Sequence, residues 1–298
     1  MEKILSVCIP SYNMEKYLRR NLDSFLVPEC LDTIELIVVN DGSKDRTLEI
    51  ANEYKTKYPD TVVVIDKPNG HYGSCVNAAL KIAKGKYFRI VDADDWVNSN
   101  ALRVVMQSMA LIDADMVYTQ YSTYHEADGT THIEDDVAVM PWGRTVKLSN
   151  VKFDKYLHMH QVSYRLDLLR SINYHQTEGV CYTDTEYDFI PCIHAKTIHP
   201  IQISLYQYFV GRDDQSMASS VLVRNFLHFH KVLDRITTYP KPVESNDNYE
   251  FLRNRYIDTL FGYMVDAIFV SFASNPDWNQ LLRNMIGKLQ SQEYDLSK

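Results

Sequence analysis

Apolar, β-branched runs alternate with amphipathic segments over the first 120 residues, the rhythm of a parallel α/β sheet. LSVCIP, from Leu5, predicts a first buried strand, and Met14 to Leu26 a helix. IELIVV is nearly all apolar, as a strand covered on both faces would be, and predicts a second strand. Leu48, Ala51, Tyr54 and Tyr58 recur at spacings of three and four, a helix that Asp45 can cap. TVVVID predicts a third strand, Ser74 to Ala83 a helix, and KYFRIV a fourth strand. Ala101 to Ile112 predicts a helix and ADMVYTQY a fifth strand. The fold class is α/β.

The pattern loosens over residues 122–195, which are rich in Tyr, His, Asp and Thr. EADGTT predicts a hairpin turn there, because Asp-Gly tolerates positive φ. IQISLYQYFV predicts one more strand, followed by the polar turn GRDDQS. From about Met217 the periodicity becomes helical. Ile257, Leu260, Phe261, Met264, Val265 and Ile268 fall on one face, a stripe that suits core or dimer packing better than membrane contact. YPKPVESNDN separates that helix from an earlier one containing Leu222, Phe226, Phe229 and Leu233. The expected division is therefore a domain over residues 1–216 and a helical C-terminal extension over 217–298. No internal repeat of 20–50 residues is apparent.

Charge narrows the function. The 298 residues carry 31 Lys plus Arg against 39 Asp plus Glu, a formal charge of −8. An acidic chain gains no counterion-release affinity, which argues against a nucleic-acid binder. Residues 220–298 hold nine basic and nine acidic side chains, so the excess lies in the first 219. The five cysteines, Cys8, Cys30, Cys75, Cys181 and Cys192, form no CxxC pair and suit a reduced, cytosolic protein. MEKILSVCIPSYN lacks a cleavable hydrophobic region, and TLFGYMVDAIFVSFA is interrupted by Asp266, so no transmembrane segment is expected.

The sharpest chemical signal is VDADD after the fourth strand, with Asp92, Asp94 and Asp95. Carboxylates two residues apart at a strand end can converge on one hard cation, although an isolated DxD is as often a solvated turn. Ligands of open α/β sheets bind outside the carboxyl ends of the strands. VVNDGSKD ends the second strand at that edge, where Asp41 can accept from a nucleobase imide or a ribose. KPNGHYGS follows the third strand, and Gly70 and Gly73 allow backbone N–H groups to approach phosphate at a helix start. Each piece alone also reads as an ordinary turn. Histidine pairs add little: His158/His160 has a metal spacing only on a strand, His228/His230 diverges on a helix, and His71 is as readily a surface residue.

IPSYN at Ile9–Asn13, VVNDGSKDRT at Val38–Thr47 and DADD at Asp92–Asp95 together resemble the successive motifs of glycosyltransferase family 2, in the same order and at matching separations. The resemblance is strong over residues 4–120 and moderate over 160–216. It implies a GT-A fold, a nucleotide-diphosphate sugar donor, a divalent metal (Mn²⁺ or Mg²⁺) and inversion at the anomeric carbon. It further implies that Pro10 and Tyr12 line the nucleotide pocket, that Asp41 bonds the base, typically uracil, and that Asp92 holds the ribose. Asp94 would bind the metal and Asp95 would touch the metal's outer ligands or the donor sugar. Gly70 and Asn77 join the expected donor site. Where the family often has Arg-Asn, however, this chain has Val76-Asn77, with Lys67 a weak substitute. The catalytic base falls on Thr183-Asp184 where the family usually has Glu-Asp; Asp184 is the first choice and Glu186 the second. An extended stretch would put Asp184, Glu186 and Asp188 on one face, so spacing alone does not choose. In GRDDQSM, Arg212 is assigned to the donor, with Gln215 and Ser216 nearby.

Two like charges about 4 Å apart repel by roughly 4 kcal/mol at an effective dielectric near 20, so a diphosphate beside Asp92 and Asp94 requires a cation. A second reading is a non-catalytic nucleotide-sugar-binding partner subunit, which the atypical Thr183-Asp184 keeps open. A DxD phosphohydrolase would want a later acidic GDxxxD-like site, and a nucleotidyltransferase a Gly- and Arg-rich loop where IPSYNMEKY stands. The resemblance points to a glycan or lipid-linked acceptor in surface polysaccharide synthesis, in the cytoplasm or at the inner face of the membrane. QxxRW, the mark of processive members, does not occur, which favours single addition. Peripheral membrane contact and a homodimer are both compatible with the charge-neutral C-terminal helices.

Overall fold

The apolar runs become the centre of one ten-stranded sheet. The computed structural model describes residues 2–211, 221, 223, 225–244, 248–271, 280, 283, 284, 286 and 287. Strands β1 (Leu5–Ser11), β2 (Ile34–Asp41), β3 (Val62–Lys67) and β4 (Tyr87–Ile90) run parallel in the order β3-β2-β1-β4. Every residue of β2 is buried, as its lack of alternation requires. Helices α1 (Leu18–Phe25), α2 (Thr47–Lys57), α3 (His71–Ile82) and α4 (Ser99–Leu111) connect and cover these strands. Because the strands are parallel, the loops after β1, β2, β3 and β4 all emerge at one edge.

Beyond β4 the sheet becomes mixed. Strand β9 (Val162–Arg165) is antiparallel to both β4 and β6 (Met116–His125), and β6 is parallel to β10 (Thr197–Val210). The two-residue β5 (Trp96–Val97) closes the far edge against β10. Two short strands, β7 (Thr131–Ile133) on β6 and β8 (Val146–Lys147) on β10, complete it. The expected EADGTT hairpin forms between β6 and β7, with Gly129 at φ +70°.

Several boundaries move for identifiable reasons. Helix α1 begins at Leu18, not Met14, because Asn13, Met14 and Glu15 are tied to the loop after β2 through Ser43, Thr47 and Asp45. Asp45 does accept the Thr47 N–H at 2.9 Å at the start of α2. Asn98 caps α4 by accepting from the N–H groups of Asn100 and Ala101, so the helix starts two residues before Ala101.

TDTEYDFIPCIH, to which the sequence assigned no element, is helical: after α5 (Leu166–Ser171), Asp184–His194 forms helix α6. Two carboxylates in its first turn favour the positive end of the helix dipole. The C-terminal helices α7 (Phe226–Thr238) and α8 (Tyr249–Ser271) pack onto α6 and the 148–160 segment. The Phe189 ring lies 5.9 Å from both Tyr249 and Tyr256, and Tyr182 stacks on Phe229 at 4.0 Å. Ile257, Leu260 and Met264 of the apolar stripe are buried in this shared core, which takes them out of any dimer surface. Leu222, the Ile268 side chain and the expected boundary at 216/217 lie outside the described residues. None of the five cysteines forms a disulfide, and no helix among the described residues is long and apolar enough to cross a membrane.

Candidate functional site

The loops at the carboxyl edge are stitched to one another before any ligand is considered. Asn13, at φ +55°, accepts the Lys44 N–H at 2.8 Å and donates its own N–H to the Ser43 hydroxyl at 3.0 Å. This presents Tyr12 outward, 47% exposed, beside half-buried Pro10. Asp41, at the end of β2, is buried. Its Oδ1 accepts from Lys67 Nζ at 2.5 Å and from the Gly70 N–H at 2.9 Å. Lys67 Nζ also reaches the Ser74 hydroxyl at 2.8 Å, so Lys67 is the clamp between Asp41 and the start of α3. Gly42, at φ +73°, is needed there: a Cβ would lie 3.0 Å from the Asn69 nitrogen.

The DADD turn is held from three sides. Asn21 of α1 donates to the carbonyls of Asp92 and Asp95, each at 2.9 Å, and Arg20 donates to the carbonyl of Asp94 at 2.8 Å. Tyr72 of α3 donates its hydroxyl to Asp92 Oδ1 at 2.7 Å. Buried Asp95 accepts from the Tyr206 hydroxyl and from the Phe209 N–H, the latter at 2.7 Å. Each of the three carboxylates offers an oxygen within 4.8 Å of the others, the one such cluster among the described residues. Burial, and then the charges of Asp94 and Asp92, push the Asp95 carboxyl well above the usual carboxylate range. Crowded oxygen ligands of one sign fit a hard divalent cation such as Mn²⁺ or Mg²⁺.

Across from this cluster stands the N-terminus of α6. Helical geometry turns Glu186 away from Asp184 and Asp188, with which an extended chain would have aligned it. Asp184 is half-buried, and its charge bears on Tyr72 and Tyr208, both of which also feel the DADD acids. Burial pushes its carboxyl up, against the pull of backbone N–H groups at the helix start. Glu186 is fully buried and turned the other way: its Oε2 accepts the Thr177 N–H at 2.9 Å and its Oε1 has no partner. Asp188, one turn beyond Asp184, is buried with Oδ1 unpartnered, and burial followed by the Asp184 charge raises it strongly.

Asp41 and Gly70 are thus bonded to each other, Asp92, Asp94 and Asp95 cluster, and the charge of Asp184 reaches Tyr72, which bonds Asp92. Asn77 does something else: its Nδ2 donates to the Gln176 carbonyl and to Glu178 Oε1, both at 2.9 Å, and its Oδ1 accepts the Gln176 N–H. It fastens the loop leading to α6, while Val76 is buried in the core. Arg212, with Gln215 and Ser216, lies outside the described residues. The His158 and His160 rings stack nearly parallel, 5.9 Å apart, against Tyr156, Tyr206 and Tyr208, as an aromatic column and not a chelate.

Sequence reading missed Tyr72 and Tyr206, which reach the acids through the fold and carry no local signal. It also missed Arg89, fully buried in β4 and bonded to Ser163, Thr119 and the His160 carbonyl. A lone arginine inside the apolar run KYFRIV was the available clue.

Comparison with known proteins places these elements. The model of "Glycosyl transferase family 2" matches residues 6–170. Among curated proteins, glycosyltransferase GlyG of Streptococcus pneumoniae serotype 4 is 34% identical over 129 residues, 43% of this chain and 42% of that protein. Glycosyltransferase GlyA of the same organism is 31% identical over 125 residues, 42% of this chain but only 18% of its own length. The alignments therefore span less than half of either relative. Among solved structures, S. aureus TarS 1–349 in complex with UDP-GlcNAc superposes with a TM-score of 0.68 at 20% identity, covering 96% of this chain and 80% of that one. Mannosyltransferase PcManGT from Pyrobaculum calidifontis, in complex with GDP-Man and Mn²⁺, gives 0.60 at 14% identity, covering 97% and 81%. These likenesses show the fold, GT-A.

Proposed function

The chain belongs to glycosyltransferase family 2, and from that membership we propose that it moves a sugar from a UDP-sugar to a hydroxyl of a glycan or lipid-linked acceptor, with inversion at the anomeric carbon. The observation that carries the reading is the meeting of two acidic groups at one sheet edge. Asp92, Asp94 and Asp95 cluster there, and Asp184 faces them across Tyr72, whose hydroxyl bonds Asp92.

In this reading Asp41 receives the uracil imide beside Tyr12 and Pro10, with its carboxylate already oriented by Lys67 and Gly70. Asp92 takes the ribose. Asp94, with its two neighbours, would hold Mn²⁺ or Mg²⁺, which when bound offsets the diphosphate charge and acts as a Lewis acid for the leaving group. The acceptor hydroxyl passes its proton to a carboxylate oxygen of Asp184 as its own oxygen bonds to the anomeric carbon. The bond from that carbon to the diphosphate oxygen breaks on the opposite face, and its electron pair leaves with UDP. Burial makes Asp184 a stronger base than an ordinary aspartate. Asn77 acts by holding the loop before α6 and not by touching the donor.

The UDP-GlcNAc complex of TarS supports uridine as the base, and the Mn²⁺ of the mannosyltransferase complex supports a cation. Titration calorimetry tests the donor site. UDP should bind in the presence of Mn²⁺ more tightly than GDP, and Asp94→Ala should abolish the metal-dependent part. Absence of binding by either nucleotide with Mn²⁺ present would overturn the roles given to Asp41, Asp92 and Asp94.

A further inference from the structure

A cavity of about 320 Å³ is absorbed by none of the roles above. Its walls come from three parts of the chain: Tyr121 and Glu134 from the β6–β7 hairpin region, Lys155, Tyr156 and His158 from the segment before β9, and Arg255 and Thr259 from α8. We propose that this cavity is the subsite for a neutral pyranose ring of the acceptor, and that the C-terminal helix α8 completes it.

Position is the first argument. The Tyr156 ring lies 4.6 Å from His158, whose ring stacks on His160, and His160 lies 4.4 Å from the ring of Tyr206. Tyr206 donates to Asp95. An unbroken column of rings therefore joins the cavity to the metal-binding turn. On the other side, Tyr156 lies within the field of Asp184 and Asp188. A ring seated against Tyr156 lies within electrostatic reach of the group proposed to take its proton.

Chemistry is the second. A pyranose has a C–H face that packs on an aromatic ring and a rim of hydroxyls that both donate and accept. Tyr156 and Tyr121 supply the rings, and the polar rim is mixed in sign, Glu134 and Asp135 against Lys155 and Arg255. Lys155 is already paired with Asp135 at 2.7 Å. Such a rim makes no net field for a phosphate and suits a neutral polyhydroxylated ligand. Burial lowers His158 to about 4, so it meets the ligand as a neutral imidazole at neutral pH. Ligand clefts run from about 300 to 1,000 Å³, so a cavity at the small end fits one ring and not a chain.

The inference rests on the glycosyltransferase reading, and its test separates the two. Saturation-transfer NMR with Mg²⁺ and UDP present would use the methyl pyranosides of glucose, galactose, mannose, rhamnose, N-acetylglucosamine and N-acetylgalactosamine as probes. At least one should give a saturable signal with the unmodified protein. Tyr156→Ala should reduce that signal at least fivefold, and so should Thr259→Trp, which fills the cavity from α8 without removing a core side chain. Calorimetric UDP binding should be the same in all three proteins, which also reports that the variants are folded. Normal UDP binding with no pyranoside signal, or with signals unchanged in Thr259→Trp, would overturn the subsite alone. Loss of UDP binding in the unmodified protein would overturn the donor reading, and with it the assignment of this cavity to an acceptor.

Discussion

Asp184 and Glu186 stand two residues apart in the first turn of α6 and serve different parts of the molecule. At 3.6 residues per turn they point roughly 200° apart. Asp184 looks toward Tyr72 and the DADD turn, whereas Glu186 is sealed in the core on the Thr177 N–H. Asp184→Asn should therefore lower kcat by about 10²- to 10⁴-fold, the contribution of a general base, while UDP binding holds. Glu186→Gln keeps an acceptor for Thr177 and should leave kcat within about threefold. Steady-state kinetics on the two variants decides, and the opposite ranking would move the base to Glu186.

The pH profile carries a sign. Burial favours the neutral form of Asp184, so its folded value lies above the ordinary aspartate value of about 3.9. A base works only when deprotonated. Transfer should therefore fall away on the acid side at a pH higher than an ordinary carboxylate would give, and be complete above that limb. UDP binding measured over the same range would show whether the limb belongs to donor binding. A profile of kcat/KM that stays flat down to about pH 4 would remove Asp184 from the role.

Asp94 and Asp95 are adjacent in the chain yet should fail in different ways. Asp95 is buried and accepts from Tyr206 and Phe209. Replacing it with Ala orphans two buried donors at about 1–3 kcal/mol each, which a thermal melt reads as a loss of several degrees. Asp94 is half-buried, with its carbonyl held by Arg20 independently of its carboxylate. Asp94→Ala should lower the melting temperature less than Asp95→Ala does and abolish metal-dependent UDP binding. Equal loss of stability in both would argue that Asp94 is structural.

What the sequence disclosed and what it withheld divide along physical lines. β2 was legible because eight successive buried positions leave no other reading, and the acids of β2 and the DADD turn were legible because a parallel sheet brings its strand ends together. The proposed donor edge is thus a local property. The segment of the proposed base was harder: TDTEYDF suits a strand by alternation and a helix by its acidic first turn, and Phe189 and Tyr187 are buried on the helix it forms. β9 and β5 are too short to show a period, and Tyr72 and Tyr206 reach Asp92 and Asp95 only across 20 and 111 residues of chain. No spacing rule reports such a pairing.

The link from α3 to the proposed base is testable at Gly73. In an exposed helix interior, Gly→Ala ordinarily stabilises by up to about 1 kcal/mol, because alanine has less backbone freedom to lose. At Gly73 a Cβ would lie 2.2 Å from the Thr177 carbonyl oxygen and 3.0 Å from the Gln176 Cβ, so the loop must move. That loop is no passive neighbour: Gln176 bonds Asn77 and Thr183, and the Thr177 N–H bonds Glu186. Overpacking there should cost about 1–3 kcal/mol, and the displaced loop should carry the start of α6 with it. Gly73→Ala is therefore expected to lower the melting temperature by several degrees and to reduce kcat more than UDP affinity. Gly262 in α8 is the internal control, since a Cβ there meets nothing within 4 Å. Gly262→Ala should raise the melting temperature, by about 2–4 °C for each kcal/mol gained. Opposite signs for one substitution in two helices would establish that the close approach of α3 to the 176–178 loop holds Asp184 in place; a stabilised, fully active Gly73→Ala protein would show that it does not.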